Sequence, residues 1–303
     1  MRVVAGATRP VGEPGDVPDA GPLAPRALIV SLFGLYAREL GGWLSVATIV
    51  RLMADLGVDE QATRSAVFRL KKRGRLEAQK QGRTAGYRAS AEALEILAEG
   101  DTRIYGRRRG HPDDGWLLVV FSVPESERDQ RHRLRSTLTR LGLGTIGPGT
   151  WVAPGHLGDA VLAALHRGGL AQFTDVFRAT HLAGAPGRDT IAAWWDLDAL
   201  EATYADYLRR FAGVAARWED HPGDDARAFA DYVPAVTAWR RLPYLDPGLP
   251  LEYLPEDWIG SRAEALFDRF RELLAVPAAR HVRAVTPPPP PGSPRAPRAA
   301  TAR

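Results

Sequence analysis

Residues 62 to 76 read ATRSAVFRLKKRGRL, and the side that this stretch turns inward decides the fold of the N-terminal third. At helical periodicity Ala62, Thr63, Ala66, Val67 and Leu70 share one arc, whereas Gln61, Arg64, Ser65, Phe68 and Lys72 point away from it. The first arc is small and aliphatic, as a core face must be. The second carries an aromatic among cations, so Phe68 is expected to be exposed. Asp59 is the expected N-cap and Gly74 the stop.

The charge around this helix is one-sided. Between Arg64 and Arg88 the basic residues Arg64, Arg69, Lys71, Lys72, Arg73, Arg75, Lys80, Arg83 and Arg88 face a single acid, Glu77. All three lysines of the chain, Lys71, Lys72 and Lys80, lie in that window, although the net charge of the 303 residues is only +4. A polyanion would be attracted here rather than elsewhere.

Two more helices precede the basic one. ALIVSLFGLYAREL (27 to 40) has apolar residues at helical spacing and is broken by GGW; VATIVRLMADLG follows, with Ser45 as its cap and Gly57 as its stop. After the basic helix, LEAQKQGRTAGYRAS predicts a hairpin whose tip, Gln81 to Gly86, is flanked by Lys80, Arg83 and Arg88. SAEALEILAEG (90 to 100) is a further short helix. Three helices and a basic hairpin over 26 to 100 predict a winged helix-turn-helix, a variant whose third helix can enter the DNA major groove.

The expected partner is therefore a double-stranded DNA operator. Gln61, Arg64, Ser65 and Phe68 are the expected base readers: Arg64 suits a guanine edge, Gln61 an adenine, and Phe68 a thymine methyl group. Arg69, Lys71, Lys72, Lys80, Arg83 and Arg88 are expected to neutralise phosphates. For Arg69 and Arg73 a stem lying over the core, with the head in solvent, is an equal alternative.

The rest of the chain predicts an α+β multidomain protein. A linker (101 to 114) leads to the order βαββαβ over 115 to 182, a ferredoxin-like pattern that usually packs one sheet face on its helices and leaves the other for a partner. A helical C-terminal domain is expected over 183 to 276. It contains LPYLDPGLPLEYLPEDWIG, where Asp246, Pro247 and Pro250 are expected to fix a turn and pack the domains together. A leader (1 to 25) and a Pro-rich tail (277 to 303) have disordered composition.

Several function classes drop out. The absence of cysteine removes disulfides, thiolate metal ligands and a cysteine nucleophile. No apolar run reaches the roughly 18 residues of a membrane span, and the leader lacks a signal-peptide core; a cytoplasmic protein with no membrane partner is expected. None of the seven histidines forms a metal-ligand pair at helical spacing, and phosphate-loop and hydrolase motifs are missing. No catalytic residue, metal or cofactor is expected. The alternative is a metal-dependent nuclease built on the ferredoxin-like domain, for which the loop carboxylates Glu125 and Glu127, just after the first strand, are the candidates.

The sequence resembles the PaaX-type transcriptional regulators of phenylacetate and related aromatic catabolism. The likeness is carried by ALIVSLFGLYA, by ATRSAVFRLKKRGRL with GRTAGYRAS, by RIYG in the linker, by PGTWVAP, and above all by LPYLDPGLPLEYLPEDWIG. It spans residues 26 to about 275, with Tyr253 standing where the family commonly has an aliphatic residue. The resemblance implies a homodimeric repressor that leaves its operator when an aryl-CoA thioester, phenylacetyl-CoA in the first instance, binds. It also implies a middle domain with the fold of small CRISPR-associated endoribonucleases. Such an effector needs arginines and aromatics together, which Trp239, Arg240, Arg241 and Tyr244 offer, as do Trp194 and Trp195.

Overall fold

A computed structural model describes residues 23–106 and 108–287. The leader up to residue 22 and the tail from residue 288 lie outside the described residues.

The N-terminal segment is helix α1 (Pro25–Leu32), prolonged by a π-helical turn (Phe33–Ala37), strand β1 (Trp43–Ser45), helices α2 (Val46–Asp55) and α3 (Glu60–Lys72), strands β2 (Leu76–Gln81) and β3 (Thr84–Ala89), and helix α4 (Ala91–Tyr105). The three strands form an antiparallel sheet in the order β1-β3-β2. Local signals set the boundaries. Ser45 accepts the Thr48 N–H at 2.9 Å and Asp59 the Ala62 N–H at 2.7 Å, each satisfying one of the free donors of a first turn.

Three local expectations are corrected. Strand β1 lies where GGW was read only as a break; its Trp43–Ser45 pairs with Gly86–Arg88. The hairpin tip is shorter than Gln81 to Gly86, since Gln81 pairs with Thr84 and only Gly82 and Arg83 turn, with Gly82 at φ 57°. Helix α4 runs past residue 100 to Tyr105, into the expected linker, because Ile104 and Tyr105 pack against the large core. An interior glycine at 100 costs a helix about 1 kcal/mol, which that packing offsets.

The middle segment runs β4 (Trp116–Phe121), α5 (Arg128–Arg140), β5 (Gly144–Gly147), β6 (Thr150–Pro154), α6 (Gly158–Arg167) and β7 (Thr174–Ala179). The sheet order is β5-β6-β4-β7, antiparallel throughout. Leu117, Val119, Trp151 and Ala153 face α5 and α6 through Leu134, Leu138, Val161 and Leu165. The opposite face is not wholly free, as the βαββαβ pattern suggested. Trp116 stacks on Tyr253 at 5.7 Å and meets Trp194 edge-on at 5.3 Å, so the chain covers one end itself and leaves Val120 and Phe177 exposed.

The C-terminal segment is α7 (Arg188–Trp194), α8 (Leu197–Asp220), α9 (Asp225–Trp239), α10 (Leu242–Leu245) and α11 (Ile259–Val285). Helix α11 continues through Pro277, past the expected end at 276. An interior proline costs about 3 kcal/mol, but beyond it Ala278, His281 and Val282 are buried. The DPGLP turn is a joint. Asp246 accepts the Tyr204 hydroxyl and the Gly248 N–H, each at 2.7 Å, and the Gly110 N–H donates to the Gly248 carbonyl at 2.7 Å. Gly248 has φ 70°, and a Cβ there would meet the Arg108 carbonyl.

The described residues form two hydrophobic cores rather than three. One belongs to the middle segment; the other runs without interruption from α1 to α3 into α8, α9 and α11. Polar ties accompany it: His281 Nε2 lies 2.8 Å from Asp55 Oδ2, Thr237 Oγ1 lies 2.7 Å from Ser31 Oγ, and Arg283 reaches Glu39 at 3.2 Å.

Candidate nucleic-acid interface

Helix α3 is two-faced in the way its sequence requires. Thr63, Ala66, Val67 and Leu70 are buried, whereas Gln61, Arg64, Ser65, Phe68, Arg69, Lys71 and Lys72 are exposed. Phe68 is 65% exposed and is the most accessible aromatic that the structure places beside cations. Arg69, Lys71 and Lys72 occupy the last turn, where positive charge complements the helix dipole. Arg64 lies one turn after Glu60 and pairs with it, Nη2 to Oε1 at 2.5 Å, with both side chains exposed.

The hairpin divides its cations. Lys80 stands opposite Ala85 and Arg83 forms the turn, so both are at the tip. Arg88 is nearer the base, opposite Glu77 and Trp43 in register, and by strand alternation it lies on the other face from Lys80. The structure thus brings Lys80 and Arg83 together and sets Arg88 apart. Arg75, another cation of the window, is tied to Glu92 at 2.5 Å. The Trp43 indole crosses Gly86 and donates to the Gln79 carbonyl at 3.1 Å; a Cβ on Gly86 would overlap that ring.

The residues expected around an effector separate into four environments. Trp239 is 2% exposed and stacks on Phe267 at 4.7 Å, inside the core. Arg241 is half-buried near Arg210 and Asp206 of α8; burial lowers its pKa first and Arg210 second. Arg240 and Tyr244 turn instead toward α4. Trp194 and Trp195 pack around Trp116, and Trp195 Nε1 donates to the Gly142 carbonyl at 2.8 Å. Sequence reasoning missed Arg103 and Arg140 beside Arg240 and Tyr244. The only available signal was Arg103 opening the RIYG stretch.

Glu125 and Glu127 flank Ser126 in an exposed 3-10 turn, and Glu125 lies 3.5 Å from Arg131. Among the described residues no group of three His, Asp or Glu side chains could hold a metal, and no helix is long and apolar enough to cross a membrane.

Comparison with known proteins converges on one family. Three family models match in succession: PaaX-like protein over 24–93, the PaaX protein central Cas2-like domain over 109–191, and the PaaX-like protein C-terminal domain over 195–284. The chain is 27% identical over 253 residues to the transcriptional repressor PaaX of Escherichia coli (strain K12), covering 82% of this chain and 79% of that protein. Among solved structures it is similar in fold to the uncharacterized protein Rv0674 from Mycobacterium tuberculosis, with a TM-score of 0.55 and 24% identity, covering 87% of this chain and 99% of that one. With its three segments matched in order, and with the buried Asp246 turn formed by the most specific stretch of its sequence, the chain belongs to the PaaX-type family of regulators.

Proposed function

We propose that the protein is a sequence-specific DNA-binding transcriptional repressor whose α3 is the reading helix of a winged helix-turn-helix, with the β2–β3 hairpin as the wing. The observation that carries this reading is the outer face of α3, where Gln61, Arg64, Ser65 and Phe68 are exposed beside the cations of the last turn. The similarity to a transcriptional repressor over 82% of the chain supports it. Arg69, Lys71, Lys72, Lys80 and Arg83 supply sequence-independent attraction to phosphates, and Arg88 contributes from the other face of the wing.

In this reading the middle segment is a ferredoxin-like scaffold within a homodimer, and the effector is phenylacetyl-CoA or a related aryl-CoA. A ligand releases DNA only through unequal affinity for two states. The thioester therefore favours a dimer arrangement in which the two reading helices no longer match the half-site spacing.

A mobility shift on DNA from the protein's own promoter, with phenylacetyl-CoA and with the free acid, tests the proposal. A specific shift released by the thioester and not by the acid is expected. A protein that shifts promoter and random DNA alike, whatever is added, would refute the reading.

A further inference from the structure

Where the three segments of the chain touch, one guanidinium lies over a phenol and two more are within electrostatic reach of it. Helix α10 packs against α4, α5, α8 and α9, and it carries Tyr244. Arg103, in the last turn of α4, lies over the Tyr244 ring with Cζ 4.9 Å from the centroid. Arg240, which follows α9, and Arg140, the last residue of α5, are close enough to Tyr244 to act on its hydroxyl electrostatically. Gly100 of α4 passes close to the hydroxyl, at ordinary van der Waals distance even for an added Cβ (3.4 Å).

The charge of this cluster is poorly balanced from within. The one carboxylate felt by both Arg103 and Tyr244 is Glu99, and Arg167 already holds it at 3.0 Å. Among the described residues Arg103, Arg140 and Arg240 form no ion pair with a carboxylate, and Arg103 Nη1 is buried with no hydrogen-bond partner. Burial lowers the pKa of Arg103, and it lowers that of Arg240 to about 10. Both remain cations at neutral pH. A buried guanidinium donor left unpaired costs more than a satisfied one returns, and cations gathered without counter-charge repel. Stacking on Tyr244 offsets part of this for Arg103 and nothing for Arg140.

An anion with several oxygens resolves the imbalance, and the guanidinium fork matches phosphate geometry. We propose that this junction is a phosphate-binding site in which Arg103, Arg140 and Arg240 hold a phosphate or pyrophosphate group and the Tyr244 hydroxyl donates a further hydrogen bond. Helix α4 follows directly on the wing strand β3, so an anion gripping Arg103 acts on the element that leads out of the reading segment. The site's role as the phosphate end of the effector pocket rests on the ligand-released repressor reading; its affinity for phosphate does not.

The test is calorimetric titration of the full chain at low salt with inorganic pyrophosphate and, separately, with coenzyme A. Both are expected to bind. Arg140→Gln, at an exposed position that folding tolerates, and Arg103→Gln are each expected to weaken binding about tenfold, with an unchanged circular dichroism spectrum. Binding of pyrophosphate without coenzyme A would keep the site and make its ligand a free phosphate. Absence of heat with either probe, or an Arg140→Gln variant that binds both as tightly as the unaltered chain, would overturn the proposal. Coenzyme A binding that is lost in the variants, in a chain with no preference for its promoter, would keep the site and remove the repressor reading instead.

Discussion

Arg64 is held by Glu60 on its own helix, and the balance of two small energies decides what it does near DNA. An exposed pair of this spacing is worth about 0.3–0.5 kcal/mol, while a bidentate contact to guanine discriminates by about 1–3 kcal/mol. The guanidinium is therefore expected to leave Glu60 for a base edge. Arg64→Ala should weaken binding to the operator by about 1–3 kcal/mol and relax preference at one position, as read in a binding series over substituted duplexes. Lys72→Ala should weaken operator and random DNA alike and reduce the slope of log affinity against log salt by about 1. At the same scale Gly86 is fixed by its neighbours, because the Trp43 indole and the Leu44 carbonyl occupy the space of a side chain. Gly86→Ala should destabilise the fold by about 1–3 kcal/mol; a urea midpoint equal to that of the unaltered chain would show that the indole and the β1 backbone at Leu44 both shift freely. The inward and outward residues of α3 were legible in the sequence because a helical wheel needs only local spacing. Trp43 over Gly86 was not, since the two residues are distant in the chain and meet only through the register of β1 and β3.

At the scale of elements, local rules and tertiary packing disagree most at the ends of helices. Ser45, Asp59 and Ser90 cap α2, α3 and α4 as their residue types suggest. The C-terminal ends follow packing instead. Tyr105 stacks on Phe267 at 6.1 Å and draws α4 five residues beyond the Gly100 that marked its expected end. Helix α11 keeps its course through Pro277 because His281 and Val282 are buried beyond it. This continuation carries a local cost that a substitution should reveal. Pro277→Ala restores a backbone donor and is expected to raise stability by about 1–3 kcal/mol, less whatever proline gains by restricting the unfolded chain. A lower thermal midpoint for Pro277→Ala would mean that the proline ring itself makes packing contacts that outweigh its helix cost. The Arg103, Arg140, Arg240 and Tyr244 cluster illustrates the limit of reading elements one at a time. Its members come from α4, α5, α10 and the residue that follows α9, and only the fold shows that they share a neighbourhood.

The whole molecule joins its first and last segments in one core. Leu28, Ile29 and Leu32 of α1 belong to the same buried cluster as Phe229, Val233 and Val236 of α9 and Phe267 and Phe270 of α11. Asp55 and His281 meet across the same boundary. The sequence placed these as separate domains because composition and linkers reveal where a chain changes character, not which faces meet afterwards. One consequence is mechanical: the C-terminal helices touch the N-terminal segment directly through packed side chains, without needing the linker. Another is thermodynamic. Leu32→Ala, at a position with 0% exposure, should cost about 2–5 kcal/mol, and promoter binding and the helical signal of the C-terminal segment should be lost in one transition. Two separated transitions would mean that the shared core does not couple the segments.

Whether α3 reads DNA sequence is decided by fluorescence anisotropy. The unaltered chain and Arg64→Ala would be titrated onto a labelled duplex from the protein's own promoter and onto a shuffled duplex of the same length and composition. A reading role for α3 requires tight binding of the promoter duplex, much weaker binding of the shuffled one, and a loss in Arg64→Ala confined to the promoter. Equal affinity of the unaltered chain for both duplexes, or equal losses on both in Arg64→Ala, would contradict it.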